Sequence, residues 1–490
     1  MKKKILYGFL SAIVLASLVT FPGLAREARP GPANFSASAD ISPWHIGWAD
    51  KNTSAHVGGY PSVAYSPIDG LAYISYYDSV GHNLMLTSPA ANGGCGTGNA
   101  WWCRPVDGDT NTTPPDVGTR TNGDVGQYSS IDFWKGTTAK NWKLGIAYYD
   151  ATDNALKYAE WSPAYFLPGI NTGWKFFIIE TAVFPSDTVG TYTSLKFTSD
   201  GKPWIAYYTH WYITLIPPTT AWFGQLNLAW QVTGNSGNCG PGGKSWKCDV
   251  VDSGSDAGVG QYASLGLGYD DKPYMSYYDA VNGDLRYAHY DGPASGNCSS
   301  GSDYDCTIIN QAGDVGMGSS LTAPKSSSDK VRIAYYDRTN GQLKFAQNSS
   351  GSGCFVATWD CSNIFAIGTN LPHIGISMAL DQNDSPVIAY EDASSGTVAF
   401  QGVAKPGIFG NCGPTITIGI AHLHTWECDD IDGGYGYTYV DVGLSNAIAI
   451  NSSGVSTIAY LESDSYSDTD YLKVAYNQIN IFAPLMLNHH

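Results

Sequence analysis

The chain has 490 residues, a length that fits about three average domains or one large repeat unit. Hydrophobic residues make up 43% and charged residues only 14%, so a packed core is available and disorder is excluded as the main state. Net charge is −17, and without the three lysines of the acid-free segment Met1–Ala25 the balance is 23 basic against 43 acidic residues. That balance argues against nucleic acid or an anionic membrane surface as a partner, because both require basic patches. The 33 Tyr, 15 Trp and 56 Gly favour strands closed by tight turns over helices, and exclude a coiled coil, a helical bundle or a collagen-like rod.

The first element is a basic start, MKKK, followed by an apolar run and by the small residues Gly23 and Ala25. It reads as a signal peptide over 1–25, cut before Arg26, with a retained membrane anchor as the competing reading. No later stretch is long and apolar enough to span a bilayer, so the mature chain is expected outside the membrane. Residues 26–42 read as a linker, 43–480 as the folded unit, and 481–490 as a short apolar tail.

From residue 43 a single module recurs. Its clearest part is an apolar-aromatic strand ending in an acid: YISYYD (Tyr73–Asp78), GIAYYD (Gly145–Asp150), YMSYYD (Tyr274–Asp279), RIAYYD (Arg332–Asp337) and VIAYED (Val387–Asp392), with WIAYYT (Trp204–Thr209) and TIAYLE (Thr457–Glu462) as variants. The spacing between these ends is 55 to 72 residues. A short strand precedes each, as in YASLGL (Tyr262–Leu267). A third follows a turn, as in NGQLKFAQ (Asn340–Gln347), and a Trp-led fourth such as WKCDVVD (Trp246–Asp252) often completes the set. Asn-Gly turns at Asn282 and Asn340 mark antiparallel hairpins. Seven four-stranded modules repeated radially predict an all-β, seven-bladed β-propeller.

The ends of the chain sharpen this expectation. The seventh copy lacks a fourth strand, yet WHIGWAD (Trp44–Asp50) matches the fourth-strand sequence WKCDVVD. The N-terminal strand is therefore expected to complete the last blade and close the ring, leaving no exposed edge.

All ten cysteines come in close pairs: Cys95 with Cys103, Cys239 with Cys248, Cys298 with Cys306, Cys354 with Cys361, and Cys412 with Cys428. In an exported chain these read as local disulfides, each worth about 2–3 kcal/mol. Zinc is the rival reading, but none has knuckle spacing.

The repeat resembles those of bacterial secreted seven-bladed β-propeller proteins of the type "S-L-x-L-x-x-x-G-x-P-x-I-A-Y-Y-D-x-x-x-G-x-L-K-Y-A". That resemblance implies the fold and not an activity. A more distant likeness of layout is to fucose-binding propeller lectins, which implies carbohydrate recognition. Those lectins place Arg and Glu in each blade, whereas this repeat offers Asp.

In such a blade the first strand starts, and the second ends, on one face of the disc. Asp78, Asp150, Asp279, Asp337 and Asp392 are expected there, with Asp124, Asp187 and Asp314 of the connectors, making an acidic, Tyr-rich ligand face. The alternative for each Asp is to accept hydrogen bonds from turn amides. The third repeat inserts HWYITLIPPTTAWF (His210–Phe223) on the same face. Its Trp211, Tyr212 and Trp222 offer flat rings for sugar faces, or fold as a hairpin over the rim. His422 and His424 near Asp429 and Asp430 suggest a metal or a solvated strand face, and Asp464, Asp468 and Asp470 a loose calcium loop or an acidic turn.

No nucleophile elbow, zinc-protease helix, P-loop or dinucleotide fingerprint occurs, and no cofactor is expected. Near-equivalent acids in successive blades argue against one asymmetric acid/base pair. The expectation is a secreted, monomeric, non-enzymatic recognition module for carbohydrate or an extracellular protein. The alternatives are a sialidase- or glycosidase-type propeller enzyme and an envelope scaffold.

Overall fold

A computed structural model describes residues 44–51, 54–108, 120–138, 141–165, 173–184, 186–214, 220–255, 258–299, 301–371, 373–395, 399–418, 421–433 and 439–477. The signal segment 1–25, the linker 26–42 and the tail 481–490 lie outside them. The described strands form seven separate four-stranded sheets, each antiparallel throughout. Blade 1 spans 57–107, blade 2 125–181, blade 3 188–255, blade 4 259–310, blade 5 315–366 and blade 6 376–432. Blade 7 takes three strands from 440–476 and its fourth from His45–Asp50, which lies antiparallel to Thr469–Tyr476 with Ile46 opposite Ala475 and Gly47 opposite Val474. The ring closes by sharing one sheet between the two ends of the chain, as the sequence match predicts.

The core lies between blades. The second strands are buried on both faces, because each is flanked by its own neighbours in the sheet and covered by the sheets on either side. Leu84, Leu86 and Val106 of blade 1, for example, pack on Val125, Ile131, Ile146 and Tyr148 of blade 2. At about 25 cal/mol per Å² of apolar surface, such interfaces supply most of the driving force for closure.

A polar tie runs through these apolar interfaces. The first tyrosine of each Tyr-Tyr pair is wholly buried, and in most blades its hydroxyl reaches an acid near the end of the preceding blade's outer strand. Tyr76 donates to Asp50 at 2.6 Å, Tyr148 to Asp107 at 2.7 Å, Tyr277 to Asp252 at 2.6 Å and Tyr460 to Asp432 at 2.8 Å, while Tyr207 donates to Glu180. Tyr335 accepts from the Asn310 amide. At the seventh joint Phe365 occupies the acid's place, its ring 6.0 Å from that of Tyr390, whose buried hydroxyl has no hydrogen-bond partner among the described residues.

All five cysteine pairs are disulfide-bonded as their spacing predicts. Cys95 is joined to Cys103, Cys239 to Cys248, Cys298 to Cys306, Cys354 to Cys361, and Cys412 to Cys428. They close the loops between third and fourth strands of blades 1, 3, 4, 5 and 6, on the face opposite the Tyr-Tyr-Asp ends. No cysteine is left as a thiol, so the zinc reading has no thiolate to draw on. No helix among the described residues is long and apolar enough to cross a membrane.

Candidate functional site

The face where first strands begin carries a signature that repeats in four blades: Gly58-Gly59-Tyr60, Gly126-Gln127-Tyr128, Gly190-Thr191-Tyr192 and Gly260-Gln261-Tyr262. Pairing to the second strand slips at the glycine and again past the tyrosine, as in a β-bulge. The glycine is dictated by space: a Cβ on Gly126 would stand 2.6 Å from Cα of Leu84, and one on Gly190 2.6 Å from Cα of Leu156, each in the third strand of the preceding blade. The bulge leaves Tyr60, Tyr128, Tyr192 and Tyr262 at φ of 50°, 55°, 51° and 52°. Bulky residues seldom adopt this left-handed backbone, and where it persists it marks a position held for a purpose.

These four rings form an arc. Centroids are 4.4 Å apart for Tyr60 and Tyr128, 4.8 Å for Tyr128 and Tyr192, and 4.7 Å for Tyr192 and Tyr262. Burial, with the hydroxyls and acids nearby, raises the pKa of Tyr60 and Tyr192 well above the ordinary phenol value, so both stay neutral donors and acceptors. The arc stops at blade 5, where Gly318 replaces tyrosine and a Cβ would meet Ile374 at 2.4 Å. In blade 7 Ser445 holds the same left-handed position, with φ 52°.

Between arc and gap lies an axial cavity of about 670 Å³, lined by first strands of all seven blades. One wall is aromatic. The other presents Arg338, Asn370, His373 and Asn446. Arg338 lies 3.7 Å from Asp314, and partial desolvation at the cavity wall lowers the pKa of His373. No Asp or Glu is among the described lining residues.

The expected acids sit elsewhere. Asp78, Asp150, Asp279, Asp337 and Asp392 are all at most 5% exposed. Asp78 accepts the amides of Val80 and Gly81, Asp150 that of Asp153, Asp279 those of Val281 and Asn282, Asp337 that of Asn340, and Asp392 that of Ser394. Three also face a cation on the third strand: Lys157 is 3.6 Å from Asp150, Arg286 3.6 Å from Asp279 and Lys344 3.5 Å from Asp337. The connector acids Asp124 and Asp314 accept the hydroxyls of Tyr77 and Tyr278. The face is therefore rich in tyrosine, but most of its repeated carboxylates are committed inside the protein.

The aromatic insertion of blade 3 continues two strands, Pro203–Thr214 and Thr220–Gln231, as one long hairpin. Trp211 stacks on Phe223 at 5.5 Å, and Tyr212 meets Trp222 at 4.9 Å with the rings tilted by 48°. The rings cover each other across the hairpin, Trp222 remaining 42% exposed. They do not line the axial cavity. His422 and His424 turn to Thr417 and to the Gly413 carbonyl, 3.0 Å each, and Asp464 accepts the amides of Tyr466 and Ser467. Asp470 lies 3.0 Å from His56.

The cysteines are structural and take no part in this site. Cys103, Cys248, Cys306, Cys361 and Cys428 each belong to a fourth strand, at the outer edge of a blade, and none of them lines the axial cavity.

The tyrosine arc escapes an inspection for charged clusters. Its signal is the spacing Gly-x-Tyr-x-Ser at the head of the first four repeats, which reads as ordinary strand sequence until the bulge turns the ring towards the axis.

The fold thus defines the chain as a seven-bladed β-propeller with a tyrosine-walled axial cavity. Neither a known protein family nor a curated protein matches its sequence. Among solved structures it is similar to a Dyadobacter fermentans protein of unknown function, with 10% identity over 89% of this chain and 99% of that one at a TM-score of 0.42. It is similar also to the polysaccharide lyase Uly1, with 11% identity over 86% and 90% of the two chains and a TM-score of 0.42. A Trypanosoma rangeli sialidase in complex with sialic acid shows 6% identity over 90% of this chain and 58% of its own, at 0.34. Likeness at this level assigns neither activity nor substrate.

Proposed function

We propose that this chain is an exported, non-enzymatic recognition module that binds carbohydrate in the axial cavity. The observation that carries this reading is the asymmetric wall: four touching tyrosines on one side, and Arg338, Asn370, His373 and Asn446 on the other. A pyranose has apolar C–H faces and polar edges, and aromatic surface opposite hydrogen-bonding groups complements both. The cavity volume falls within the ~300–1,000 Å³ of small-ligand sites. Paired-carboxylate glycoside hydrolysis needs two acids flanking the bond, and none lines the cavity among the described residues. Five disulfides support an oxidising compartment.

A glycan array tests the reading. The wild-type protein should retain a defined set of glycans, Arg338→Ala should weaken the best of them by about tenfold, as loss of one charge-assisted hydrogen bond does, and the bound glycans should be recovered uncleaved. An array with no retained glycan, or retention that Arg338→Ala leaves untouched, removes the axial site; cleaved products restore the hydrolase alternative.

A further inference from the structure

A second cleft lies away from the axis, between the outer strand of blade 1, Trp101–Asp107, and the facing side of blade 2. It encloses about 480 Å³. Trp102 forms one wall, and Trp142, Trp161 and Trp174 of blade 2 the other, all of them partly exposed. Trp142 and Trp161 have centroids 4.7 Å apart. Arg104 and Arg120 supply its charge, Arg104 5.6 Å over the Trp102 ring and Arg120 5.2 Å over Phe176.

Three features separate this cleft from a mere gap in packing. Blade 2 is the one blade built from a continuous stretch of chain that has no disulfide between its third and fourth strands; Trp161 and Trp174 stand at the two ends of that connection instead. Second, no Asp or Glu lines the cleft among the described residues, in a chain of net charge −17. Third, its polar side chains are mostly donors: indoles and guanidiniums donate only, and the hydroxyl of Tyr73 already gives its proton to Asp69. Arg104 is exposed and forms no ion pair with any described carboxylate.

We propose that this cleft binds an acidic oligosaccharide segment, with sugars bearing carboxylates. Indole faces meet the C–H faces of the rings, and the guanidinium fork of Arg104 takes the planar carboxylate in two parallel bonds. A peptide fits less well, since its backbone N–H groups would find only the Tyr73 hydroxyl oxygen among these side chains to accept them. The site stands independently of the axial cavity, in position and in ligand chemistry.

Trigalacturonate, with its neutral counterpart galactotriose, is the probe, followed by calorimetry and by tryptophan fluorescence. Trigalacturonate should bind and quench fluorescence, binding should weaken with added salt, and galactotriose should bind at least about tenfold more weakly. Arg104→Gln, an exposed change, should weaken trigalacturonate about tenfold with Tm unchanged, and Trp102→Leu should reduce the quench, while Arg338→Ala at the axial cavity leaves both untouched. The proposal is overturned if trigalacturonate does not bind, if Arg104→Gln has no effect, or if Arg338→Ala abolishes binding. It is equally overturned if galactotriose, a sulfated trisaccharide or a hexaglutamate peptide binds as well or better.

Discussion

The hydroxyl oxygen of Ser264 accepts the backbone N–H of Leu321 at 2.9 Å, tying the inner strand of blade 4 to that of blade 5. The same tie joins Ser62 to Ile131, Ser130 to Leu195, Ser194 to Leu265, Ser320 to Met378 and Ser377 to Ile448. The closing joint, between blades 7 and 1, departs from the series, because Ala447 stands at the serine position opposite Ala459. Ser264→Ala should lower stability by about 1–2 kcal/mol, leaving a buried amide without its acceptor. Ala447→Ser should raise it by up to about 1 kcal/mol by supplying the seventh tie. Urea unfolding of both variants measures the two signs.

The tyrosine-to-acid ties allow a paired test. Tyr277→Phe leaves Asp252 without the hydroxyl 2.6 Å away, and should cost about 1.5–3 kcal/mol, the usual range for a hydrogen bond to a charged group. Tyr390→Phe removes a buried hydroxyl that has no partner among the described residues, and should be neutral or stabilising. Equal losses in the two variants, read from thermal melts, would contradict the assignment.

Lys157 is wholly buried between Asp107, at 2.5 Å, and Asp150, at 3.6 Å, so its ammonium links blade 1 to blade 2. Lys157→Met should destabilise by about 3–5 kcal/mol at neutral pH, because two buried carboxylates lose their common cation. Burial already raises the pKa of Asp150 while Lys157 pulls it down, so without the ammonium Asp150 holds its proton more tightly in the folded protein than in the unfolded chain. Stability of the variant should then rise as pH falls towards the ordinary carboxylate pKa, and its deficit in Tm should be smaller at pH ~5 than at pH ~8.

Glu391 replaces the second tyrosine in blade 6 and is wholly buried, and burial pushes its pKa up to about 9. Between the unfolded carboxyl value near 4.5 and about 9 the folded protein holds a proton that the unfolded chain releases, so stability falls as pH rises through that window. Glu391→Gln should flatten this slope and be the more stable protein at pH ~8, by about 1–3 kcal/mol. Melting curves across pH ~5 to ~9 follow it directly; parallel curves for the two proteins would place the ionisation elsewhere.

Much of the architecture is legible in single residues. Trp44–Asp50 announces itself as a displaced outer strand because its Trp-to-Asp spacing matches that of Trp246–Asp252, and the strand indeed pairs with Thr469–Tyr476. The disulfide pairs are legible because each joins cysteines 7 to 16 residues apart across one hairpin. The role of the repeated acids is harder to read. Asp279 satisfies both a turn, through Asn282, and a cross-strand cation, Arg286, and a sequence displays the carboxylate without showing that it is enclosed. The aromatic insertion misleads for a related reason: Trp211 and Trp222 look available one by one, and only the hairpin register sets their partners.

Sequence alone determined the number of blades, the strand that closes the ring and the cross-links, since each of these is written in local periodicity and spacing. Tertiary structure decided which tyrosines face the axis, which acids are consumed at blade joints, and where two arginines and four tryptophans meet on the rim. Those outcomes depend on bulges and on contacts between residues about 40 to 70 positions apart, as with Tyr60 against Tyr128 and Trp102 across from Trp142. Chain periodicity carries no record of distance across a joint, so burial and pairing appear only once the blades are packed.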